Sequence, residues 1–320
     1  MTAQVEARQV AAAPEPDQRA RFYAELGPVL DAHPDVDVVL AVIGSGYLGR
    51  AIERHPDRVI DVGIREQALV GVAGGLALAG RRPIVHTFAS FLVERAYEQV
   101  KLDLGHQDVG AVLVSAGASY DVSAGGRTHQ APADVALISA LPGWTVHVPG
   151  HADEVAEILH REAAGTGRVY VRLSGQRNAR PGPVDGRLHL VRDRAGVEAG
   201  EAPLVVAVGP MLDTVLEATA DLPVRVAWTA TPHPLDAQGL RALLPAGPGA
   251  APSLAVVEPY LEGTSAAAVA AALADRPSRV LHVGVPGEAE LRRYGTPRDH
   301  AAAHGLDAAG VRRRVTTLLG

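Results

Sequence analysis

Three stretches of the chain place chemically capable side chains directly after apolar runs. Glu66 follows the run RVIDVG and begins the stretch EQALVGVAGGLALAG. Phe88 ends the run RPIVHTF, and Phe91 lies three residues further on in a chain with only three phenylalanines. His129 lies in the loop GASYDVSAGGRTHQAPAD, and loops longer than ~12 residues are often functional. A carboxylate and an imidazole can transfer protons, and aromatic rings can enclose a flat ligand.

Each of these residues also has a purely structural interpretation. An acid at a helix start, such as Glu66, complements the helix dipole. The spacing of three puts Phe88 and Phe91 on one helix face, where they could be ordinary core. A single histidine in a loop, such as His129, is commonly a surface residue. The residue types alone therefore leave both interpretations open.

Short apolar runs rich in Val and Ile alternate with helical stretches in the first part of the chain. Such runs are typical of strands covered on both faces, and their alternation with helices predicts a parallel sheet. The predicted strands are 37–43, 58–63, 82–88, 110–116, 144–150 and 168–173. The predicted helices are 19–32, 47–54, 66–79, 90–105, 132–140 and 152–164. Open α/β sheets bind ligands beyond the carboxyl ends of their strands, which is where the three candidate stretches lie.

The sequence predicts a second, smaller α/β domain after a break in this rhythm. We expect a flexible tail at 1–17, the first domain at 18–180, a Gly/Pro-rich linker at 181–202 and the second domain at 203–320. The second domain's predicted strands are 203–209, 224–230, 253–259 and 279–285, and its helices 211–221, 236–244, 263–274 and 307–319. The fold class is thus α/β, with a parallel sheet covered by helices on both faces and then a smaller α/β domain.

Three glycines in one predicted helix indicate close packing. Gly71, Gly74 and Gly75 each cost about 1 kcal/mol relative to alanine in a helix interior. We expect another backbone to lie against this helix, for instance at a subunit interface.

Composition excludes several classes of function. The chain has 320 residues, of which 47% are hydrophobic, so it can bury a core. A net charge of −6 argues against nucleic-acid binding, which needs a basic face. The absence of cysteine excludes disulfides and thiolate metal sites. No apolar run approaches the ~18 residues of a membrane span and the start lacks a secretory pattern, so we expect a cytoplasmic protein.

Several motifs in order resemble one known family. DVGIREQALVGVAGGLALAG, HTFASFLVERAYEQV, GGRTHQAPADVALISALPGWTVHVPG and RVYVRL resemble the pyrimidine-binding domain of the transketolase family of thiamine-diphosphate enzymes. SLAVVEPYLEGTSAAAV and the tail PRDHAAAHGLDAAGVRRRVTTLL resemble that family's C-terminal domain. The resemblance covers roughly residues 19–320. The spacing in FASFLVERAYEQ is most similar to split transketolases, whose C-terminal half is a separate chain.

The resemblance implies a partner subunit. The family holds the diphosphate through Mg²⁺ with a Gly-Asp-Gly motif and a downstream asparagine. This chain has no Gly-Asp-Gly, and its only asparagine is Asn178. The resemblance therefore implies an N-terminal partner that carries this motif and the Mg²⁺ ligands, in a heterotetramer of two chains of each kind. We expect no metal ligands on this chain.

The resemblance also implies roles for individual residues. Glu66 would hydrogen-bond the aminopyrimidine ring of thiamine diphosphate and act in catalysis. Phe88 and Phe91 would enclose that ring, and Arg95 would contact the cofactor or Glu66. His129 would contact the substrate and help to transfer protons.

Phosphate contacts from Arg19 and Arg177 are also implied, although Gly175 interrupts the family pattern before Arg177. The family's acid before THQ is Gly125 here, and Gly117 stands where the family has a histidine for sugar phosphates. Losing several charged contacts of about 1.5–3 kcal/mol each weakens phosphate binding. We therefore expect an unusual, unphosphorylated acceptor in a specialised pathway.

Three functions remain open on the sequence alone. The first is transfer of a two-carbon ketol unit by a two-component transketolase. The second is a 2-oxoacid decarboxylating or acyloin-forming enzyme, related to 1-deoxyxylulose-5-phosphate synthase or to the beta subunits of oxoacid dehydrogenases. The third is a non-catalytic scaffold subunit.

Overall fold

The computed structural model describes residues 17–193, 202–245, 251–288 and 290–319. The predicted flexible tail lies outside these ranges except for Asp17. Part of the predicted linker, 194–201, lies outside them as well.

The first domain is built on a six-stranded parallel sheet of order β2-β1-β3-β4-β6-β5. Its strands are β1 Val36–Leu40, β2 Val59–Asp61, β3 Arg82–Phe88, β4 Ala111–Ala116, β5 Trp144–His147 and β6 Arg168–Arg172. Its helices are α1 Gln18–Ala32, α2 Gly49–Arg54, α3 Glu66–Leu78, α5 Asp134–Ser139 and α6 Ala152–Ala163. Helix α4 follows β3 and consists of Ser90–Arg95, Tyr97–Gln99 and Val100–His106.

Both faces of this sheet are covered by helices, because alternate strand residues point to opposite faces. Val38 packs in a cluster with residues of α1 and α6, such as Leu26 and Ile158. Its neighbour Val39 packs in a second cluster with residues of α3 and α4, such as Leu69 and Leu92. The predicted fold class is thereby confirmed.

The second domain has a five-stranded sheet of order β11-β10-β8-β9-β7. Its strands are β7 His189–Arg192, β8 Leu204–Val208, β9 Arg225–Thr229, β10 Ser253–Leu261 and β11 Arg279–Val285. Its helices are α7 Leu212–Ala218, α8 Ala237–Leu243, α9 Ala266–Ala272, α10 Pro297–His304 and α11 Ala308–Thr316. Helices α7 and α11 pack with one core cluster, and α8 and α9 pack with the other.

The structure differs from the sequence expectations at three elements. Strand β7 lies inside the predicted linker and pairs antiparallel with β9 at the sheet edge, so its exposed residues lack the apolar run of a buried strand. Helix α10 was not expected; the capping box of Thr296 and Asp299 begins it, and Gly305 ends it with φ 70°. The predicted helix 90–105 contains two π-helical stretches, a geometry that is frequent at functional sites.

The two domains contact each other through hydrogen bonds near the His129 loop. The Ser119 hydroxyl donates to the Pro259 carbonyl at 2.6 Å, and the Leu261 N–H donates to the Pro132 carbonyl at 2.7 Å. The carboxyl end of β10 is therefore fixed against the loop that follows β4.

The glycine-rich helix α3 has its close neighbour within the chain. A Cβ on Gly74 would lie 2.7 Å from the carbonyl oxygen of Asp103 in α4, whereas a Cβ on Gly75 would meet nothing within 4 Å. The packing of α3 against α4 therefore accounts for Gly74.

Candidate functional site

The candidate residues lie together because all six strands of the first sheet are parallel. Glu66 follows β2, Phe88 ends β3 and His129 lies in the loop after β4, so their carboxyl ends share one edge of the sheet. Helix α1 begins at Gln18, whose side chain contacts Pro149 and Ser174 beyond the ends of β5 and β6, so Arg19 also lies at this edge.

Two connections position the beginning of α3. Asp61, the last residue of β2, accepts hydrogen bonds from the N–H groups of Val42 and Gly63 at 3.0 and 2.9 Å. It thereby ties the turn before Glu66 to the loop after β1. In that loop Val42 has a φ of 68°, a strained conformation for a β-branched residue.

Glu66 is buried and ion-paired. Only 2% of its side chain is exposed, and Nη1 of Arg95 donates to its Oε2 at 2.7 Å. Within the described residues its Oε1 has no hydrogen-bond partner. The Arg95 guanidinium also lies over the Phe91 ring, 4.1 Å from the ring centroid. One arginine therefore orients both the carboxylate and the ring.

Phe88, Phe91 and His129 form an aromatic cluster with edge-to-face geometry. The ring centroids are 5.9 Å apart for the two phenylalanines, 5.5 Å for Phe88 and His129, and 5.1 Å for Phe91 and His129. The Thr128 hydroxyl lies 3.0 Å from Nδ1 of His129. His129 is thus held by neighbouring side chains despite its place in a loop.

A hydrogen-bonded chain leads from Arg19 into the interior. Nε of Arg19 donates to the Tyr23 hydroxyl at 2.8 Å, and this hydroxyl lies 2.9 Å from Nε2 of His86. Nδ1 of His86 faces the Val114 carbonyl at 2.9 Å and so carries the proton. Burial lowers the pKa of His86 to about 3, so it is neutral and Tyr23 donates to it. The Arg19 guanidinium also lies 5.6 Å from the centroid of Phe88.

An open cleft of about 570 Å³ borders the aromatic cluster. Its lining comprises Ser90, Phe91, Glu94, Arg95, Arg127, Thr128 and Glu290. Burial raises the pKa of the Glu94 carboxyl, and the nearby Arg127 charge partly offsets this rise. Glu290 comes from the second domain and accepts a hydrogen bond from Nε of Arg127 at 2.5 Å. The cleft is therefore shared by both domains.

Buried polar contacts hold the loop that carries His129. Nε of Arg172 donates to Oδ2 of Asp134 at 2.8 Å, and both side chains are almost fully buried. Nη2 of Arg172 donates to the Ser119 hydroxyl at 2.6 Å. Both ends of the loop are thereby fixed to the end of β6.

The structure does not bring every candidate to the cleft. Of the candidates, only Phe91 and Arg95 belong to its lining. Glu66 contacts Arg95, and Phe88 and His129 contact Phe91, so these three lie next to lining residues. Arg19 and Arg177 are not part of the lining either, and Gln176, which precedes Arg177, donates to the Pro210 carbonyl in the second domain. Sequence reasoning missed Glu94 and Glu290, and the pair Tyr23 and His86. Glu94 lies three residues after Phe91 on the same helix, a spacing that could have found it. Glu290 carries no local signal because only the tertiary fold brings it near.

The described part of the chain contains neither a candidate metal site nor a candidate membrane-spanning helix. No group of three or more His, Asp or Glu side chains there could hold a metal ion. None of the helices described is long and apolar enough to cross a membrane.

The first domain is a parallel α/β unit with a buried glutamate and an aromatic cluster at one edge of its sheet, and a smaller α/β domain follows it. Residues 20–179 match the family described as "Transketolase, pyrimidine binding domain". The chain therefore belongs to the transketolase-like family of thiamine-diphosphate enzymes.

Relatives of known sequence support this assignment. The chain is 47% identical over 306 residues to an "Uncharacterized 33.6 kDa protein in fasciation locus" of Rhodococcoides fascians, covering 95% of each. It is 30% identical over 311 residues to the 1-deoxy-D-xylulose-5-phosphate synthase of Magnetococcus marinus, covering 93% of this chain and 49% of that one. The chain thus spans about half the length of such synthases.

Solved structures show a similar architecture. A structure titled "Split gene transketolase, inactive beta4 tetramer" matches with a TM-score of 0.78 and 26% identity over 95% of this chain and 99% of that one. The transketolase of Campylobacter jejuni matches in fold with a TM-score of 0.70 and 16% identity over 96% of this chain and 48% of that one.

Proposed function

We propose that this chain is the C-terminal subunit of a two-component transketolase that transfers a two-carbon ketol unit. The observation that carries the proposal is the buried Glu66 carboxylate, with one oxygen held by Arg95, beside the cluster of Phe88, Phe91 and His129. Such a set can hold a flat, nitrogen-rich ring and exchange protons with it.

The residues present fit the pyrimidine ring of thiamine diphosphate. Oε1 of Glu66, which lacks a partner among the described residues, is available to bond a ring nitrogen. The rings of Phe88 and Phe91 can enclose the ring, and Arg95 keeps Phe91 and Glu66 in place. When bound, the cofactor supplies the carbanion chemistry of its thiazolium ring.

His129 acts on the substrate in this proposal. Thr128 contacts its Nδ1, which leaves Nε2 to donate to or accept from a substrate oxygen. Arg19 lies beside Phe88 and can bind an anionic or hydroxylated group of the substrate. Arg177 is proposed for the same role, and neither arginine is part of the cleft lining.

The diphosphate and Mg²⁺ require a partner in this proposal. We propose an N-terminal subunit with the Gly-Asp-Gly motif and downstream asparagine, assembled as two chains of each kind. The similar split-gene transketolase and the half-length match to 1-deoxy-D-xylulose-5-phosphate synthases support this arrangement. A cytoplasmic location and a place in specialised metabolism stay predictions.

The glycines of the His129 loop support an unusual acceptor. A Cβ on Gly125 would lie 3.2 Å from Cγ of His129, and a Cβ on Gly117 would lie 2.9 Å from the Phe88 ring. An acid or a histidine at these positions would therefore push on the aromatic cluster. In this proposal, the enzyme recognises its acceptor without the sugar-phosphate contacts of ordinary transketolases.

A second candidate is a decarboxylating 2-oxoacid or acyloin-forming enzyme. The 30% identity to 1-deoxy-D-xylulose-5-phosphate synthase over 93% of the chain favours it. A non-catalytic scaffold has no such support.

Product analysis with the captured partner distinguishes these functions. The chain is used to capture its partner from its own host. The pair is then incubated with thiamine diphosphate, Mg²⁺, a ketose or pyruvate as the donor, and an aldehyde as the acceptor. Product lengthened by two carbons without CO₂ release supports ketol transfer. CO₂ release from pyruvate supports the second candidate. Ordinary turnover of pentose phosphates would contradict the unusual acceptor.

A further inference from the structure

A second cavity of about 180 Å³ lies between the two domains, next to the cleft. We name it the interdomain cavity. Its walls are mostly apolar and include Tyr120, Ala133, Leu261, Val285 and Leu291. A dry apolar cavity of roughly 150 Å³ is large enough to bind benzene, so this one can hold a six-membered ring.

Two polar groups in the wall of this cavity, the Gln130 side-chain amide and the Tyr120 hydroxyl, make no hydrogen bond to any described residue. Gln130 is only 7% exposed, and its side-chain amide makes no hydrogen bond to any described residue. The amide is therefore available to an occupant that donates or accepts a hydrogen bond. Gln130 directly follows His129, which places the cavity one residue from the aromatic cluster.

The charges around the interdomain cavity are balanced. Burial, together with nearby His300 and Arg293, lowers the pKa of His304, so its imidazole in the wall is neutral. Arg127 and Glu290 line the cavity but neutralise each other in their ion pair. The cavity therefore favours an uncharged occupant.

The same ion pair separates the interdomain cavity from the cleft. Arg127 and Glu290 belong to the lining of both, and about half of each side chain is exposed. An exposed ion pair contributes little to stability, so an extended ligand can displace it at small cost. A ligand that reaches across would have one end beside Thr128 and Phe91.

We propose that the interdomain cavity binds the uncharged, largely apolar end of the acceptor, a group of ring size with hydrogen-bonding atoms for Gln130. The acceptor is then an aldehyde whose reactive end reaches the cleft. That the ligand of this cavity is the acceptor rests on the proposed ketol transfer. That the cavity binds such a ligand does not depend on that proposal.

Indole is a suitable probe, because it is uncharged, has ring size and carries one N–H donor. Calorimetry measures indole binding to the full chain in the wild type and in two variants that fill the cavity. These variants are Ala133→Leu and Leu291→Trp, and both residues line the cavity. Ala77→Leu is the matched control, since Ala77 lines a different cavity beside Gly80. Unfolding midpoints establish that each variant is folded.

We expect indole to bind the wild type and Ala77→Leu equally and to bind both cavity-filling variants roughly tenfold more weakly or worse. Absence of binding to the wild type, or equal binding to all four proteins, would overturn the proposal. In the enzyme assembled with its partner, the ratio of kcat/KM for benzaldehyde to kcat/KM for glycolaldehyde should be roughly tenfold lower in Ala133→Leu than in the wild type. The same ratio in both proteins overturns the assignment of the cavity to the acceptor. Failure of the proposed function is seen separately, as absent turnover with every acceptor while indole still binds.

Discussion

Replacing Arg172 by methionine should destabilise the chain strongly, because it leaves a buried charge without its partner. Both Arg172 and Asp134 are fully buried, and Nε of the arginine donates to the carboxylate at 2.8 Å. After the change Asp134 keeps only the bonds from the Tyr170 hydroxyl and the Val135 N–H. Breaking a buried pair in this way costs about 3–5 kcal/mol of unfolding free energy.

The cost of the unpaired Asp134 charge can be measured separately from the packing that is lost with the Arg172 side chain. The double variant Arg172→Met, Asp134→Asn removes the orphaned charge but keeps an acceptor for Tyr170. It should therefore recover roughly 2 kcal/mol relative to the single variant. Arg241→Met is the matched control, since Arg241 pairs with Asp275 at the surface, and it should leave the stability nearly unchanged.

Urea unfolding followed by tryptophan fluorescence is the assay. Trp144 in the first domain and Trp228 in the second are both buried, so the signal reports on both domains. A loss below about 1 kcal/mol in Arg172→Met would show that Asp134 does not depend on the arginine for its stability in the core. A double variant less stable than the single variant would show this as well.

Three further outcomes are expected. Phe91→Ala should raise the KM for thiamine diphosphate about tenfold or more with a smaller effect on folding, because the ring that Arg95 holds is lost; an unchanged KM would remove Phe91 from the cofactor site. Gly125→Asp should displace His129 and lower kcat, and a gain of sugar-phosphate turnover instead would show that the loop has room for an acid. Burial raises the pKa of Glu258 from 4.5 to about 7, so the folded state holds a proton that the unfolded chain loses above pH 4.5. Glu258 should then contribute a fall in stability of about 1.4 kcal/mol per pH unit between pH 4.5 and 7. Tm measurements at pH 5 to 7 should show a shallower fall in Glu258→Gln than in the wild type. Equal slopes in the two proteins would exclude Glu258 as its source.

Much of the fold could be predicted because buried parallel strands have a strong local signal. The runs that became β1 and β4 are rich in Val, the run that became β3 contains Ile and Val, and all three are buried along nearly their whole length. Strand β7 has no such run, because an edge strand with exposed residues does not need one.

Part of the site could be predicted because its residues follow strands that the sequence identifies. Parallel strands bring their carboxyl ends to one edge, so Glu66, Phe88 and His129 were expected near each other. The bond from Tyr23 to His86 and the position of Glu290 depend on packing between distant parts of the chain. No local pattern of residues encodes them.

Turnover of a Glu66 variant decides whether this buried carboxylate takes part in catalysis. Glu66→Ala and the control Glu98→Ala, an exposed glutamate of α4, are each assembled with the captured partner, thiamine diphosphate and Mg²⁺. We expect Glu66→Ala to lower the rate of product formation by about 10²–10⁴-fold and Glu98→Ala to keep the wild-type rate. Equal rates in Glu66→Ala and the wild type, with partner and cofactor bound, would contradict this expectation.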